Sequence, residues 1–300
     1  MTSQTSALPS RRRLWLAAIK PPMYTVAVIP ISVGSAAAYG VSGQGSLPIF
    51  ALFLLAAIAI IAWINLSNDV FDADTGIDVN KAHSVVNLTG NRRLVFWLSN
   101  AFLVLGLGGV LAITALQRDF TVLGLILVCC ALGYSYQGPP FRLGYLGLGE
   151  IICFLTFGPG AVSAAYYSQS QSLSPALLFP ALFVGLSTSI ILFCSHFHQV
   201  EDDLAAGKRS PIVRLGTARG AAVLIAALIL LFLLPVGAVL LGLAPVTALL
   251  TLLSLPFALQ LGQKIQRERD KPALVSNSKF IAVNLHFFSG LLLALGYLFA

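Results

Sequence analysis

Residues 48–64 read PIFALFLLAAIAIIAWI and contain no charged side chain. As part of a helix over 48–67, this run can cross the hydrocarbon core of a bilayer, which is about 30 Å thick. A second long run, 219–261, carries no charge apart from Arg219. Apolar runs of this kind recur along the whole chain, and they predict a protein built from membrane-spanning helices.

The composition supports the same conclusion. Of the 300 residues, 57% are hydrophobic and only 10% are charged, whereas a soluble domain carries about 25% charged residues. Mean hydropathy is +0.88. We predict an all-α polytopic bundle of about nine transmembrane helices, forming one domain over 22–300 behind a cytosolic tail over 1–21. The predicted spans are 22–39, 48–67, 94–116, 120–136, 148–167, 175–197, 219–241, 245–262 and 280–299.

The basic residues predict the orientation of the chain in the membrane. With the N-terminus in the cytosol, 17 of the 18 Lys and Arg residues fall on the cytosolic side, and Arg118 is the exception. Cytosolic loops carry an excess of Lys and Arg. The net charge of +7 is therefore explained by topology, and the basic runs contain no nucleic-acid-binding motif.

The first acidic segment, NDVFDADTGID at 68–78, follows the second predicted span. On a continuing helix Asn68 and Asp72 are four residues apart and share a face, and Asn65 lies on nearly the same face. An oxygen-rich cluster of this kind suits Mg²⁺, which binds one or two carboxylates, waters and phosphate oxygens. The alternative is an acidic loop that is simply solvated.

The second acidic segment, HFHQVEDDLAAGKRSPIVRLG at 196–216, follows the sixth predicted span. His196, Gln199 and Asp203 are spaced to line one helical face. Acids followed by the basic Lys208, Arg209 and Arg214 fit a site in which metal and bases hold a diphosphate. The alternative is a charged loop whose bases serve topology only.

A third segment, YSYQGPPFRLGYLGLGE at 134–150, is rich in tyrosine and glycine. Its aromatic residues can form a wall for a ring-shaped acceptor, with Arg142 facing a phosphate or carboxylate. The alternative is the aromatic belt at the membrane surface. Glu150, an acid at the start of a predicted span, predicts a partner or a role.

The paired acidic motifs in a nine-span chain resemble those of the UbiA superfamily of intramembrane aromatic prenyltransferases. Members of that superfamily are nine-helix bundles whose two Asp-rich motifs bind Mg²⁺ and a prenyl diphosphate on the cytosolic side. GYLGLGE at 144–150 and GKRSPIVRLG at 207–216 are most similar to the 1,4-dihydroxy-2-naphthoate prenyltransferases. HFHQVEDDLAAGKRSP resembles the cyanobacterial and plastid branch, which uses phytyl diphosphate.

The resemblance implies a role for each candidate residue. Its metal ligands are Asn68, Asp72, Asp78, Glu201 and Asp203. Its diphosphate-binding residues are Lys81, Arg142 and Lys208, and its acceptor-binding residues are Asn65, Tyr134, Tyr136, His196 and Gln199. Asp72, Asp203, Lys81 and Arg142 are expected to be catalytic. Two positions depart from the family pattern: Gly76 and Gln199 stand where the family usually has Asp.

The resemblance also implies the reaction. A phytyl or polyprenyl group is expected to pass from its diphosphate to 1,4-dihydroxy-2-naphthoate, with loss of pyrophosphate and CO₂, in a bacterial inner membrane or a thylakoid. One alternative is another aromatic acceptor, such as homogentisate, 4-hydroxybenzoate, haem or a chlorophyllide. A secondary transporter is a further alternative, but transporters place their ion sites near the membrane midplane, and here the acids lie at helix ends.

Overall fold

The computed structural model describes residues 11–75, 77 and 84–300, and these contain helices and connecting turns with no strand. The α-helices are, in chain order, α1 Arg11–Ile19, α2 Thr25–Ser42, α3 Leu47–Thr75, α4 Val85–Thr89, α5 Arg92–Gln117, α6 Thr121–Gln137, α7 Gly149–Leu155, α8 Ala161–Ser170, α9 Leu178–Ser195, α10 Val200–Ala205, α11 Pro211–Leu240, α12 Leu255–Glu268, α13 Pro272–Val275 and α14 Ser278–Leu298. Short 3-10 turns cover Pro21–Tyr24, Leu143–Leu146, Pro175–Leu177, His196–His198 and Val246–Ser254, and a π-helical turn covers Thr156–Gly160.

The number of spans agrees with the prediction. In the described part of the chain, eight helical stretches are long and apolar enough to cross a membrane, and α6 is a ninth, shorter apolar helix. The span that contains α7 and α8 is continuous over Gly149–Ser170, although the π-helical turn interrupts its regular geometry. The chain is a multi-pass membrane protein with an all-α fold.

Two apolar cores hold the bundle together. One lies between α2, α9, α11 and α14, and the other between α3, α5, α6 and α8. Close helix contacts depend on small residues, as is usual in membranes. At Gly106 of α5, a Cβ atom would lie 2.6 Å from Ile60 Cγ1 and 2.9 Å from the Ala56 carbonyl oxygen of α3. Glycine at this position therefore allows α3 and α5 to pack along their length.

The N-terminal helix α1 is attached to the end of α3. Trp15 and Ala18 pack against Val70 and Val85 in a third small core. Lys20, which follows α1 in the left-handed conformation with φ of 52°, places its Nζ 3.2 Å from Asp69 Oδ1. This contact joins the chain before α2 to the helix that carries the first acidic segment.

Candidate active site

A large cavity of the described bundle lies beside the ends of α3 and α9, next to the two acidic segments. We call this end of the bundle, formed by residues 65–75 and 196–210, the acidic end. The cavity contains about 900 Å³ of empty space. Its lining residues are Met23, Val26, Ile61, Ile64, Asn65, Asn68, Gly133, Tyr136, Ile152, Cys153, Thr156, Phe157, Thr188, Ile191, Leu192, Ser195 and Lys279.

The helix α3 continues through the first acidic segment to Thr75, as its spacing predicts. Asn65 and Asn68 line the cavity, and Asp72, one turn further on, accepts a hydrogen bond from the side-chain amide of Gln137. The three residues thus follow one face of α3 toward its end. Asp78 and Lys81, which the sequence places in the site, lie outside the described residues.

The other aspartates of this segment have structural partners. Asp69 is 1% exposed, and its carboxylate contacts Lys20 and accepts a hydrogen bond of 2.8 Å from the backbone N–H of Val85. Asp74 forms an ion pair of 2.6 Å with Arg92. Asp72 is therefore the aspartate of α3 that is directed toward Gln137 of α6.

The second acidic segment does not form one continuous helix, so the predicted common face is wrong. The helix α9 ends at Ser195, a 3-10 turn follows, and Gln199 has a non-helical backbone with φ of −111°. His196 and Asp203 nevertheless meet, because the turn folds α10 back. His196 Nδ1 lies 3.2 Å from Asp203 Oδ2.

Asp203 lies at the centre of a buried charge cluster. Its Oδ1 is 3.3 Å from Lys208 Nζ, and the other ring nitrogen of His196 lies 3.2 Å from Glu150 Oε1. Burial alone would raise the pKa of Asp203, but the hydrogen bond with His196 and the charge of Lys208 outweigh it and lower this pKa below its usual value. Asp203 is therefore held as a carboxylate.

Tyr136 of α6 forms part of the cavity wall. A Cβ atom at Gly149 would approach the Tyr136 ring to 2.8 Å, so the start of α7 packs closely on this ring. The ring of Tyr136 thus brings α6 and the start of α7 together beside the cavity.

The turn between α6 and α7 connects both acidic segments. The Tyr145 hydroxyl is 2.6 Å from Thr75 Oγ1 at the end of α3. The Tyr145 carbonyl accepts a hydrogen bond of 2.8 Å from the backbone N–H of Arg209. Nearby, Arg142 has a buried Nε without a hydrogen-bond partner among the described residues.

Only two of the five predicted acceptor-binding residues line the cavity. Asn65 and Tyr136 line the cavity. Tyr134 points away from it, because two residues along a helix turn the side chain by about 200°. Its hydroxyl donates to the Pro139 carbonyl at 2.8 Å. His196 belongs to the buried charge cluster, and Gln199 is partly exposed at the turn.

The predicted metal ligands do not form a preassembled cage. No three His, Cys, Asp or Glu side chains of the described residues are grouped closely enough to hold an ion. Both oxygens of Asp203 contact His196 or Lys208, and Glu201 is exposed. Asn68 and Asp72 lie on one face of α3, and their oxygens would bind Mg²⁺ only together with substrate phosphate and water, which are ligands that this ion prefers.

A second cavity, which we call the inner cavity, adjoins the first, which we call the outer cavity. It contains about 460 Å³ of empty space and shares five lining residues with the first: Val26, Ile61, Ile64, Thr156 and Phe157. Its remaining walls are apolar or small, and they include Ile31, Phe53, Ala57 and Ile126. The two spaces together run from polar groups at the acidic end to a hydrocarbon-like interior.

Sequence reasoning missed three residues of this site. Gln137 contacts Asp72, and Thr75 contacts Tyr145. Lys279 lines the cavity. Gln137 has one sequence signal, since a glutamine at the end of an apolar helix needs a polar partner. Thr75 and Lys279 have none, because their neighbours at the site are distant along the chain.

Comparisons with known proteins agree with this geometry. The family described as UbiA prenyltransferase matches residues 27–288. The chain is 65% identical to the 2-carboxy-1,4-naphthoquinone phytyltransferase of Synechocystis, covering 97% of this chain and 95% of that protein. It is 40% identical to the chloroplastic protein of the same name from Arabidopsis thaliana, covering 99% and 80%.

Solved structures show the same fold. A UbiA homologue from Archaeoglobus fulgidus, bound to GPP and Mg²⁺, matches with a TM-score of 0.65 at 21% identity, covering 94% of this chain and 99% of that one. The apo structure of a UbiA homologue from Aeropyrum pernix matches with a TM-score of 0.71 at 16% identity, covering 93% and 97%. The chain thus belongs to the UbiA prenyltransferase family.

Proposed function

We propose that this enzyme transfers a phytyl group from phytyl diphosphate to 1,4-dihydroxy-2-naphthoate. The proposal is supported by the identity to the two proteins named 2-carboxy-1,4-naphthoquinone phytyltransferase. The observation that carries it is the pair of adjoining cavities near Asn68, whose walls change from partly polar to apolar. A diphosphate at the acidic end and a long hydrocarbon tail in the interior fit this polarity.

The donor diphosphate binds at the acidic end with Mg²⁺. Asn68, Asp72, Asp78 and Glu201 are the residues that would hold the metal, which would supply positive charge to neutralise part of the diphosphate. The structure of the Archaeoglobus fulgidus homologue, which contains GPP and Mg²⁺, supports the use of a prenyl diphosphate and Mg²⁺. Asp203 acts here by positioning, since its carboxylate contacts His196 and Lys208.

Basic groups share the charge that develops on the leaving diphosphate. Arg142 offers its buried Nε, Lys208 follows the acids of the second acidic segment, and Lys81 follows the first acidic segment in sequence. Stabilising this charge in a site with little water promotes cleavage of the carbon–oxygen bond toward an allylic cation. The apolar walls around Phe53 and Ile126 exclude water that would otherwise capture the cation.

The acceptor ring lies against Tyr136 and Asn65 in the outer cavity. An allylic cation is attacked by an electron-rich ring, so the reacting acceptor is the dihydroxy form rather than the quinone form. The ring forms a carbon–carbon bond at the carbon that bears the carboxylate, and departure of CO₂ returns the bonding electron pair to the ring. Pyrophosphate is the other product, and no external oxidant or reductant is needed.

The excess of Lys and Arg on one side supports a cytosolic N-terminus. The acidic end, with both acidic segments, then faces the cytosol, from which a charged diphosphate and a carboxylated acceptor can enter. The relatives from a cyanobacterium and a chloroplast support a thylakoid or a bacterial inner membrane as the location.

The test uses purified protein in liposomes with Mg²⁺, phytyl diphosphate and 1,4-dihydroxy-2-naphthoate under anaerobic conditions. We expect phytylated product and CO₂ in equal amounts, and no product from the oxidised acceptor. Asp72→Asn is expected to lower the rate on the order of 100-fold. Asp74→Asn, in which the changed side chain pairs with Arg92, is the matched control and is expected to remain active.

Two results would contradict the proposal. Full transfer by a folded Asp72→Asn protein would show that the first acidic segment takes no part in the reaction. Absence of product with the naphthoate, together with transfer to homogentisate, 4-hydroxybenzoate or a chlorophyllide, would reassign the acceptor.

A further inference from the structure

We propose that the hydroxyl group of Thr156 binds the acceptor hydroxyl that neighbours the alkylated ring carbon. This inference rests on the proposed function, because it assigns a recognition group within the same site. Thr156 is 6% exposed, and its Oγ1 has no hydrogen-bond partner among the described residues. A buried hydroxyl without a partner costs free energy, and a ligand that completes its hydrogen bonding removes that cost.

Thr156 lies where the two cavities meet. It is one of the five residues that line both the outer and the inner cavity, and the other four, Val26, Ile61, Ile64 and Phe157, are apolar. In the proposed reaction the acceptor ring occupies the outer cavity and the hydrocarbon tail occupies the inner cavity, so the new carbon–carbon bond forms at their junction. Among the described residues shared by the two cavities, Thr156 therefore supplies the polar side chain.

A π-helical turn carries Thr156 at this junction. The turn covers Thr156–Gly160 and contains Pro159, whose missing N–H interrupts the regular hydrogen bonding of a helix. The Thr156 carbonyl accepts from the backbone N–H of Ala161, five residues further on, and from Cys129 Sγ at 3.5 Å. The backbone carbonyl of Thr156 thus has partners, whereas its side-chain hydroxyl has none in the described part of the chain. Single π-helical turns inside α-helices are frequent at functional sites.

Close packing on α9 fixes the position of this turn. A Cβ atom at Gly158 would lie 2.4 Å from the Ala181 carbonyl oxygen and 2.7 Å from Gly185 Cα. The backbones of the turn and of α9 therefore touch, and this contact holds Thr156 opposite the wall that α9 contributes to the outer cavity.

The aliphatic hydroxyls of that wall are satisfied within α9. Thr188 Oγ1 donates to the Val184 carbonyl at 2.8 Å, and Ser195 Oγ donates to the Leu192 carbonyl at 2.6 Å. Helical serine and threonine commonly bond a carbonyl of the preceding turn in this way. Thr156 does not, so its hydroxyl is the one of the three that a ligand can engage.

The acceptor supplies the partner that this position requires. In 1,4-dihydroxy-2-naphthoate the carbon that is alkylated, C2, has the C1 hydroxyl beside it, so this hydroxyl reaches the junction whenever C2 does. As C2 forms the new bond, the ring draws electron density from the C1 oxygen, and the C1 hydroxyl becomes a stronger hydrogen-bond donor. Thr156 Oγ1 accepts this bond, which is therefore stronger in the transition state than in the bound substrate.

The experiment compares the wild type with Thr156→Val, which replaces the hydroxyl by a methyl group of similar size, and with Thr156→Ser, which keeps the hydroxyl. Thr114→Val is the matched control. Thr114 is also buried in a span, but its hydroxyl donates to the Val110 carbonyl at 3.1 Å, and it lines neither cavity.

Equilibrium dialysis without donor measures the Kd for three acceptors. Two of them, 1,4-dihydroxy-2-naphthoate and 1-hydroxy-2-naphthoate, carry the C1 hydroxyl, and 4-hydroxy-2-naphthoate lacks it. Transfer assays give kcat and the KM for each substrate, and thermal denaturation without ligand shows that each variant is folded.

We expect Thr156→Val to weaken binding of the two acceptors with a C1 hydroxyl about tenfold, and to leave the Kd for 4-hydroxy-2-naphthoate and the KM for phytyl diphosphate within about twofold. Its kcat is expected to fall as well, because the hydrogen bond strengthens in the transition state. Thr156→Ser and Thr114→Val are expected to bind all three acceptors like the wild type.

The thermal midpoint without ligand separates the two threonines further. It is expected to fall on the order of 2 °C in Thr114→Val, which loses a hydrogen bond, and not to fall in Thr156→Val, which loses none.

A Thr156→Val protein that keeps the wild-type Kd for all three acceptors would overturn the proposal. An equal loss for all three would do the same, because it would assign the effect to the shape of the wall. Failure of the proposed function has a different signature. In that case the wild-type protein itself makes no phytylated naphthalene product, whatever residue stands at 156.

Discussion

The hydroxyl groups of Thr75 and Tyr145 lie 2.6 Å apart, and this hydrogen bond joins the last residue of α3 to the turn between α6 and α7. The same tyrosine accepts a hydrogen bond through its carbonyl from the backbone N–H of Arg209. One residue thus holds the ends of both acidic segments at a set separation. Residues 75, 145 and 209 are far apart in sequence, and the relationship exists only in the folded bundle.

We predict that Tyr145→Phe slows prenyl transfer while leaving the protein folded. Losing the hydroxyl releases the end of α3 that carries Asp72, and small displacements of a catalytic group lower rates by about 10- to 100-fold. Steady-state kinetics with both substrates measure the effect. Tyr39→Phe, at an exposed tyrosine in α2, is the control. An unchanged rate in Tyr145→Phe would show that this hydrogen bond does not position the site.

We predict that the two residues of the Lys20–Asp69 ion pair differ in how much their substitution lowers the stability of the protein. Lys20→Met leaves the carboxylate of Asp69 buried without its cation, which costs about 3 kcal/mol of stability. Asp69→Asn costs less, because the partly exposed Lys20 can reach water and the amide oxygen can still accept from Val85. The thermal midpoint in detergent measures both variants. Equal midpoints, or a lower one for Asp69→Asn, would contradict this assignment.

We predict that Asp203 makes the folded protein acid-sensitive. The folded state lowers the pKa of Asp203 relative to the unfolded chain, where it is about 3.9. Its contribution to stability is therefore complete above that unfolded value and is lost as the pH falls toward the lower folded value.

Asp203→Asn tests this linkage. The variant is expected to be less stable at neutral pH, by about 3 kcal/mol for a broken buried pair, and to show a flatter loss of stability in acid. The exposed Asp202→Asn is the control and is expected to follow the wild type. Thermal midpoints measured from neutral pH down to strongly acidic pH show the difference. Parallel curves for wild type and Asp203→Asn would exclude the linkage.

We predict that the inner cavity sets the preferred tail length. Ala57 belongs to α3 and lines the inner cavity. Ala57→Leu adds three carbons to this apolar wall and shortens the space for a tail. Transfer from phytyl diphosphate is expected to fall about tenfold relative to transfer from geranyl diphosphate, at a stability cost of about 1–3 kcal/mol. Ala51→Leu, at an exposed position of α3, is the control. If the ratio of the transfer rates from the two donors does not change, the tail lies outside this cavity.

Much of the fold follows from local sequence. Uncharged runs such as 48–64 are long enough to span a bilayer, and the spacing of Asn65, Asn68 and Asp72 places them on one face of a continuing helix. Both predictions hold because hydrophobic length and helical period act within a single segment. The prediction for 196–203 is wrong for a related reason: a turn at Gln199 breaks the helix, and long-range packing decides where that turn occurs.

The sequence by itself determined the helices, their number and the two acidic segments, because apolar length and helical periodicity are properties of consecutive residues. Only the tertiary structure decided that Asp72 contacts Gln137 while Asp69 and Asp74 pair with Lys20 and Arg92. It also decided that Lys279 lines that cavity. The physical reason is that the bilayer requires each helix to be apolar but leaves its rotation free, and rotation is set by packing against helices that are distant in the chain.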